Sequence, residues 1–464
     1  MEMRTKPIAK KTYKNNKYNK KDFRSFLQLL ENENDLVRIN KPVNLKFELA
    51  AIVSKLEGRQ AVIFETVKDN KIRVASNIVG TRKRFSLAIA ASDQKLIHTR
   101  ITQSIPRAVM PKKISEDTAP FCNNSSNNLF DLPIVTHFEK DAGPFVTSSI
   151  VYARNQESGN QNSSIHRLLL LDSKHMIIRM VEGRHLHKSY TYAKHHGEDL
   201  KVAISIGVHP AVSIAAAYQA AYGIDEMLIA NSLLDGELTV SKNVYSELYI
   251  PSHSEIVLEG RILKDRTEDE WMVEMLGTYD VKRKQPVFEL DKIRFRNYAI
   301  LHDILPGFSE HRLLMGLPVE AKMFDSIRNV VPTTKSVYMT DGGSNWLNAV
   351  IQIRKQLEGE PKNALIAAFA SHPSLKMATV VDEDIDPTDP VAIEYAIATR
   401  CQADKGFMII TNAKGSSLDP SSDQHNLLTT KVGIDATASL LKPKERFEIA
   451  KIPGQAEINL SDYL

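Results

Sequence analysis

The 464-residue sequence has few cysteines and no long apolar segment, and each shortage excludes a class of protein. Cys122 and Cys401, its only cysteines, lie in opposite halves of the chain, so they predict neither a disulfide framework nor a paired metal site. No apolar run reaches about 18 residues, and no charged start leads into an apolar stretch with a small-residue cleavage site. We therefore expect a cytoplasmic protein with inert, buried thiols and no membrane insertion.

The composition that is present is typical of a soluble globular protein, with 42% hydrophobic and 25% charged residues. A chain of 464 residues is too long for a single hydrophobic core. We therefore expect two or three domains.

Positive charge is concentrated at the start of the chain. The net charge is +4, but residues 1–24 carry nine Lys or Arg against two acids, which leaves a net charge of −3 for the rest. Such a segment could bind nucleic acid or a membrane surface. It lacks interleaved aromatic residues and an apolar helical face, so we predict a disordered, solubilising tail over residues 1–22 and no nucleic-acid partner.

Hydrophobic periodicity predicts a small α/β domain over residues 23–110. Residues 47–56 place their apolar side chains on one helical stripe, and residues 60–64 and 72–75 have the pattern of two short strands.

The middle and the end of the chain have different patterns. Short alternating segments predict a β-barrel over residues 111–305, interrupted by one helix. A connector over residues 306–325 leads to a second α/β domain over residues 326–445, in which we expect one helix at residues 346–357. The predicted fold class is therefore a multidomain α/β protein with a central β-barrel.

One cation and a later run of acids form a candidate acid/base set. Arg167 can hold a carboxylate in a fork, and about a hundred residues later residues 269–274 include Asp269, Glu270 and Glu274. Taken alone, this pattern is more typical of a surface cation and an acidic loop.

Eight collinear stretches, which span about residues 22–455, resemble the UbiD-like decarboxylases, enzymes that use prenylated flavin mononucleotide (FMN). These stretches are residues 141–147, 162–167, 206–211, 250–260, 380–386, 398–400, 416–420 and 433–437.

The resemblance implies a fold and a reaction. The barrel would be a split β-barrel that binds flavin, and the enzyme would be a carboxy-lyase for an aromatic or α,β-unsaturated carboxylic acid, with reversible chemistry. The cofactor would act as electron sink and would be supplied by a flavin prenyltransferase. Family members are dimers or larger, and residues 446–464 resemble a segment that reaches a neighbouring subunit.

The resemblance also implies catalytic residues. Glu274 matches the family's proton donor and Arg167 its partner. Asp269 stands five residues before Glu274, where the family has a third acidic residue, and Glu270 is adjacent. The loop between the acids lacks the family's glycines and proline, which predicts a narrower pocket.

The resemblance implies a cofactor site in which the flavin phosphate is held through a divalent metal, Mn²⁺ or Mg²⁺, with K⁺ beside it. Asn162 and His185 match two metal ligands, whereas the position of the third, a Glu, falls on Val244. Either Glu247 substitutes, or Lys242 binds part of the phosphate. The implied cofactor-binding residues are Asn162, Ser164, Ile165, His166, Arg167, Arg184 and His185.

Two other functions stay open at this point. A degenerate family member could bind flavin or a partner as a scaffold, which Val244 and the altered 269–274 loop favour. A plain flavin reductase on a split barrel has no support outside the barrel.

Overall fold

The structure, a computed structural model, describes residues 22–218, 220, 223–450 and 452–464. Residues 1–21 of the predicted tail lie outside the described residues. Asp22 does not belong to a disordered tail, because it is buried and caps the first helix, where its carboxylate accepts a hydrogen bond from Ser25 N. No helix within the described ranges is long and apolar enough to cross a membrane.

Helices and strands alternate along the chain, with short 3₁₀ turns between some of them. The α-helices are α1 (Phe23–Asn32), α2 (Glu48–Lys55), α3 (Arg82–Ala88), α4 (Ile97–Ser104), α5 (His185–His195), α6 (Pro210–Ala217), α7 (Glu226–Leu233), α8 (Ser309–Arg328), α9 (Glu360–Ser371), α10 (Pro390–Arg400) and α11 (Ala403–Gly406). The strands are β1 (Leu36–Ile39), β2 (Ala61–Phe64), β3 (Arg73–Ser76), β4 (Lys112–Ile114), β5 (Asn124–Ser126), β6 (Phe145–Arg154), β7 (Gln161–Leu170), β8 (His175–Ile178), β9 (Leu200–Ile206), β10 (Thr239–Lys242), β11 (Tyr249–Pro251), β12 (Ile256–Glu270), β13 (Arg283–Phe295), β14 (Ile300–Asp303), β15 (Thr334–Met339), β16 (Asn348–Ile353), β17 (Met377–Asp382), β18 (Phe407–Lys414) and β19 (Leu428–Asp435).

The N-terminal region contains a four-stranded sheet in the order β1-β2-β3-β14. Its last strand, β14, lies parallel to β3 and follows the barrel in sequence. The predicted boundary at residue 305 is therefore wrong for this strand, which belongs to the N-terminal sheet. A parallel pairing with a strand more than 200 residues away leaves no local signal in the sequence.

The central region is a closed six-stranded barrel. Its strands follow the order β12-β9-β6-β7-β8-β13, and β13 pairs back with β12 to close the ring. This closure confirms the predicted fold class, because an α/β domain lies on either side of the barrel in the chain. The long β12–β13 hairpin ends at Glu270 and Arg283, so Asp269 and Glu270 close strand β12 and Glu274 lies in the hairpin loop.

The C-terminal region contains a five-stranded sheet in the order β15-β16-β17-β19-β18. The helix predicted at residues 346–357 is wrong, because residues 348–353 form β16 between two neighbouring strands. A strand that is apolar on both faces has no clear alternation, so a short apolar run there can be mistaken for a helix.

Helix α8 replaces most of the predicted connector. It runs for 20 residues through Pro318 and packs against α4, α9 and β15. At Gly316 an added Cβ would lie 2.5 Å from the backbone oxygen of Asn345, so the turn before β16 rests directly on the helix. This close approach places Trp346 in one apolar cluster with Val319 of α8 and Met275 of the β12–β13 loop.

Replacing Gly316 by alanine is expected to destabilise the protein, because the new methyl group meets backbone atoms that cannot rotate away. Overpacking of this kind costs about 1–3 kcal/mol, which thermal unfolding would register as a lower midpoint. Gly342→Ala is the matched control, since no atom lies within 4 Å of its Cβ position. Equal midpoints for the two variants would contradict the proposed tight contact.

Candidate active site

Arg167 joins two acidic side chains at the end of the β12–β13 hairpin. Its Nε and Nη2 donate to the two carboxylate oxygens of Glu270 at 2.6 and 2.9 Å, and its Nη1 donates to Glu274 Oε1. Burial opposes the charged guanidinium, but the charges of Glu274 and Glu270 outweigh it and raise the pKa of Arg167 above its ordinary value. The guanidinium therefore binds Glu270 through both carboxylate oxygens and Glu274 through one.

Asp269 does not belong to this network, so its predicted position there is wrong. Its carboxylate faces outward and pairs with Lys282 at 2.9 Å and with Lys284 at 3.4 Å. Glu270 takes the place predicted for Asp269. The reason is strand geometry: adjacent residues of β12 point to opposite faces, so only one of the two acids can face Arg167.

Further charges surround the network. Asp280 Oδ2 lies 3.4 Å from Arg167 Nη2 and also pairs with Arg283. Arg179 donates to the backbone oxygen of Met180 at 2.6 Å, and burial, together with the charges of Arg167 and Arg283, lowers its pKa. Asp280, Arg179 and Arg283 meet near Arg167 only through the tertiary structure.

The loop between the two acids is held by residues 138–142. Asp141 accepts hydrogen bonds from Phe138 N at 3.0 Å and from Val273 N at 3.2 Å. Trp271 Nε1 donates to the backbone oxygen of Lys140 at 2.8 Å. These hydrogen bonds hold the loop in place without the glycines and the proline that the family resemblance implies.

His311, at the start of α8, is a site residue that sequence reasoning missed. Its Nδ1 accepts a hydrogen bond from Gly307 N at 3.1 Å. Burial lowers the pKa of His311; the charge of Glu274 opposes the shift and those of Arg167 and Arg312 add to it. The neutral ring therefore carries its proton on Nε2 and can act as a donor beside Glu274.

Asn162 and His185 converge on a third residue, Glu226, at the start of α7. The Asn162 amide nitrogen lies 3.0 and 3.1 Å from the two Glu226 oxygens and 3.2 Å from His185 Nδ1, which is 3.9 Å from Glu226 Oε1. Ser163 N also donates to Glu226 at 2.8 Å. A half-turn of the Asn162 amide would present its oxygen, so an amide, an imidazole and a carboxylate would face one point.

This donor set fits a divalent cation, because Glu226 is a buried carboxylate with no lysine or arginine partner among the described residues. Among the described residues there is no group of three or more His, Cys, Asp or Glu side chains that could hold a metal. The set described above has two such side chains, His185 and Glu226, and its third member is the amide of Asn162.

Val244 is not the position of the missing ligand. Its side chain is 73% exposed, and the nearby Glu247 pairs with Lys242 at 3.5 Å instead of turning towards Asn162. Glu226 contacts both other candidate ligands. The sequence does indicate that a helix begins at Glu226, because Asp225 is a typical N-cap residue. No local pattern, however, connects this helix with β7.

The remaining predicted cofactor residues lie along β7 and before α5. Ser164 Oγ lies 2.9 Å from His166 Nε2, and His166 Nδ1 lies 2.7 Å from the backbone oxygen of Arg179. Burial lowers the pKa of His166 to about 4, so its ring is neutral near pH 7. Ile165 packs against an apolar cluster that joins barrel strand β6 with α6 and α7. Burial also lowers the pKa of Arg184, the residue before His185.

Comparisons with known proteins agree with the fold. Family models of 3-octaprenyl-4-hydroxybenzoate carboxy-lyase match the N-terminal domain at residues 27–103, the Rift-related domain at 112–309 and the C-terminal domain at 312–436. Anhydromevalonate phosphate decarboxylase of Methanocaldococcus jannaschii is 49% identical over 411 residues, which cover 88% of this chain and 96% of the relative.

The chain belongs to the UbiD family of decarboxylases. Its fold is similar to that of the UbiD-class enzyme HmfF from Pelotomaculum thermopropionicum in complex with FMN, with a TM-score of 0.92, 38% identity, and coverage of 96% of this chain and 100% of the other. An evolved dimeric form of HmfF in complex with prenylated FMN gives a TM-score of 0.89 at 34% identity, with the same coverage. The predicted family and the prediction of a decarboxylase are confirmed.

We expect Glu270→Gln to lower kcat/KM for decarboxylation by about 100-fold, because a displaced Arg167 misplaces Glu274 and errors near 1 Å have that effect. Asp269→Asn, the adjacent matched control, should stay near the wild-type value, because Asp269 faces outward. Release of CO₂ from the substrate measures both. A larger loss in Asp269→Asn than in Glu270→Gln would contradict the assignment.

Proposed function

We propose that the protein decarboxylates an α,β-unsaturated acid that carries a phosphate ester, with anhydromevalonate phosphate as substrate and prenylated FMN as cofactor. The observation that carries the proposal is the Arg167 fork with its two acids, in a chain 49% identical to a relative of that activity. The proposed substrate is thus a narrower class than an aromatic or α,β-unsaturated carboxylic acid in general.

The substrate class explains the need for a cofactor. Removing water from mevalonate places a double bond next to the carboxylate, so loss of CO₂ would leave a carbanion at an sp² carbon. When bound, prenylated FMN supplies the electron sink that side chains lack.

The exposure of the two acids supports a different role for each. The Glu274 side chain is 16% exposed, whereas that of Glu270 is 1% exposed and held on both oxygens by Arg167. Glu274 is therefore the acid that can face a substrate, and Glu270 positions Arg167. His311, whose Nδ1 is occupied by Gly307 N, would donate from Nε2 to the substrate carboxylate.

The proton balance is simple. The bond between the unsaturated carbon and the carboxylate breaks, CO₂ leaves, and the Glu274 carboxyl proton moves to that carbon. Glu274 then regains a proton from solvent. The product is a five-carbon alkenyl phosphate, and the net reaction consumes one proton without oxidation or reduction.

Asn162, His185 and Glu226 would hold Mn²⁺ or Mg²⁺, which would bind the cofactor phosphate. A K⁺ ion beside this metal stays a prediction from the family resemblance. Ser164 and His166 would fix the orientation of Asn162 along β7.

The alternative of a degenerate scaffold loses its two supporting arguments. The proposed third metal ligand is Glu226, so Val244 marks no loss. The second acid is Glu270, so the altered loop does not remove an acid from the network.

The proposal includes two kinds of partner, a supplier of the cofactor and further copies of this chain. A flavin prenyltransferase would supply the cofactor in the cytoplasm. A homodimer or a larger homo-oligomer would use residues 446–464, where Leu460 and Tyr463 are exposed apolar side chains at 68% and 71%.

Loss of a proposed metal ligand is expected to lower bound metal and bound flavin together. Protein produced with a flavin prenyltransferase would be assayed for metal by mass spectrometry and for flavin by absorbance, comparing His185→Ala and Glu226→Gln with the wild type. Glu247→Gln is the matched control, since that acid is exposed and its ion pair among the described residues is with the exposed Lys242. Unchanged flavin in a metal-free Glu226→Gln variant would show that the metal does not hold the cofactor.

Glu274→Gln is expected to lower turnover of anhydromevalonate phosphate by about 100- to 10,000-fold, the usual contribution of general acid catalysis. The amide keeps the size of the side chain but has no proton to give, so bound cofactor should persist. Incorporation of deuterium from D₂O into the product measures the same step. Full turnover by Glu274→Gln would refute its role, and no turnover by cofactor-loaded wild type would refute the substrate.

A further inference from the structure

Arg179 lies directly beside Arg167 on the face of the barrel that carries the acid network. Leu168 of β7 pairs with Ile178 of β8, so Arg167 and Arg179 form the next pair along these two antiparallel strands. Arg179 N donates to the backbone oxygen of Arg167 at 3.1 Å, in agreement with this register. Residues opposite each other on antiparallel strands point to the same face, with their Cβ atoms about 5 Å apart. The two arginine side chains therefore start from the same side of the sheet.

The two arginines differ in their partners. Four of the five N–H groups of Arg167 are directed at carboxylates, those of Glu270, Glu274 and Asp280. Arg179 is half-buried, and within the described ranges its guanidinium donates one hydrogen bond, to the backbone oxygen of Met180, and forms no ion pair. Its remaining N–H groups are thus available to an anion that enters the site.

Burial makes an unpaired charge costly at this position. It lowers the pKa of Arg179, and the positive charges of Arg167 and Arg283 lower it further. The carboxylates of Asp280 and Glu270 oppose the shift without reversing it. An anion bound at Arg179 would remove part of this cost.

The charge of the cluster changes with the proton on Glu274. The cluster contains three guanidinium groups and three carboxyl groups, namely Arg167, Arg179, Arg283, Glu270, Glu274 and Asp280. A proton donor is neutral before the reaction, so protonated Glu274 leaves one positive charge in excess. A substrate carboxylate would supply the missing negative charge. When CO₂ leaves and Glu274 gives up its proton, the negative charge passes to Glu274, and the cluster is balanced in both states.

We propose that Arg179 binds the carboxylate group that the substrate loses as CO₂. This role depends on the proposed function, in which Glu274 protonates the carbon that bears this carboxylate. Arg167 has no second fork to offer, because its donors already hold protein carboxylates. The neutral ring of His311 can donate a hydrogen bond but supplies no charge. Arg179 supplies that charge from the adjacent strand.

The contact would serve binding rather than the chemical step. The carboxylate loses its charge as CO₂ forms, so its attraction to Arg179 is strongest before the reaction. An interaction that is no stronger in the transition state lowers KM without raising kcat. Arg179 is therefore expected to differ from Glu270 and Glu274, whose loss slows the chemical step.

The two anionic groups of the proposed substrate are separated by two probes. Wild type and variants, produced with a flavin prenyltransferase, would be titrated calorimetrically with 3-methylbutanoate, which has the carboxylate but no double bond, and with n-butyl phosphate. Flavin absorbance of each preparation measures the bound cofactor. Release of CO₂ from anhydromevalonate phosphate gives kcat and KM separately.

Arg179→Met is expected to weaken binding of 3-methylbutanoate by about 10- to 100-fold, the usual value of hydrogen bonds between charged groups. KM for anhydromevalonate phosphate should rise by a similar factor, while kcat, flavin content and affinity for n-butyl phosphate stay near the wild-type values. Arg179→Lys keeps the charge without the planar fork, so it should recover part of the affinity for 3-methylbutanoate.

Arg154→Met is the matched control. Arg154 is also half-buried, and in the described part of the chain its guanidinium also donates to backbone oxygens alone, those of Gly159 and Glu247. It lies at the end of β6 opposite Gln161, which begins β7, whereas Arg167 lies near the other end of that strand. Its loss should leave both affinities and both kinetic constants unchanged.

Three results would overturn the assignment of Arg179. A fall in kcat with unchanged affinity for 3-methylbutanoate would make it a support for Arg167. Weaker binding of n-butyl phosphate alone would assign it to the phosphate ester, and lower flavin content alone would assign it to the cofactor. If affinity for 3-methylbutanoate depends on Arg179 but the wild type does not decarboxylate anhydromevalonate phosphate, the carboxylate site stands and the proposed substrate fails.

Discussion

The contact between Arg167 and its two acids is the interaction on which the rest of the site depends. A buried guanidinium is stable only with well-placed carboxylates, and removing one partner of such a pair costs about 3–5 kcal/mol. Glu270 and Glu274 come from the far end of the β12–β13 hairpin, so the pair ties that hairpin to β7. Barrel closure and acid chemistry are therefore supported by the same bonds.

This constraint extends to the loop that carries the acids. Val273 N is held by Asp141, and the start of α8 approaches from the other side, where Arg312 Nε donates to the backbone oxygen of Met275 at 3.3 Å. Gly307 makes this approach possible, because its φ is +77° and an added Cβ would lie 3.1 Å from the backbone oxygen of Glu274. The loop is held without the glycines and proline typical of the family, which explains how a bulkier sequence can keep the acids in place.

Two site residues differ from the sequence prediction, and the differences have different causes. The family resemblance puts Asp269, five residues before Glu274, in the network, but a shift of one residue decides which face of a strand a side chain occupies. Glu226 was missed because a metal ligand on a helix has no fixed sequence distance from ligands on a strand. The alternation of β12 could have corrected the first error, whereas only the packing of α7 on β7 reveals the second.

The sequence alone determined the class of domains, the central β-barrel and the family, and it singled out Arg167, Glu274, Asn162 and His185 as candidate site residues. These features rest on local periodicity and on collinear motifs, which do not depend on how distant segments meet. Tertiary structure alone decided that Glu270 faces Arg167, that Glu226 meets Asn162 and that β14 joins the N-terminal sheet. Each of these contacts joins segments far apart in the chain, and a contact of that kind depends on strand register and helix packing rather than on any local pattern.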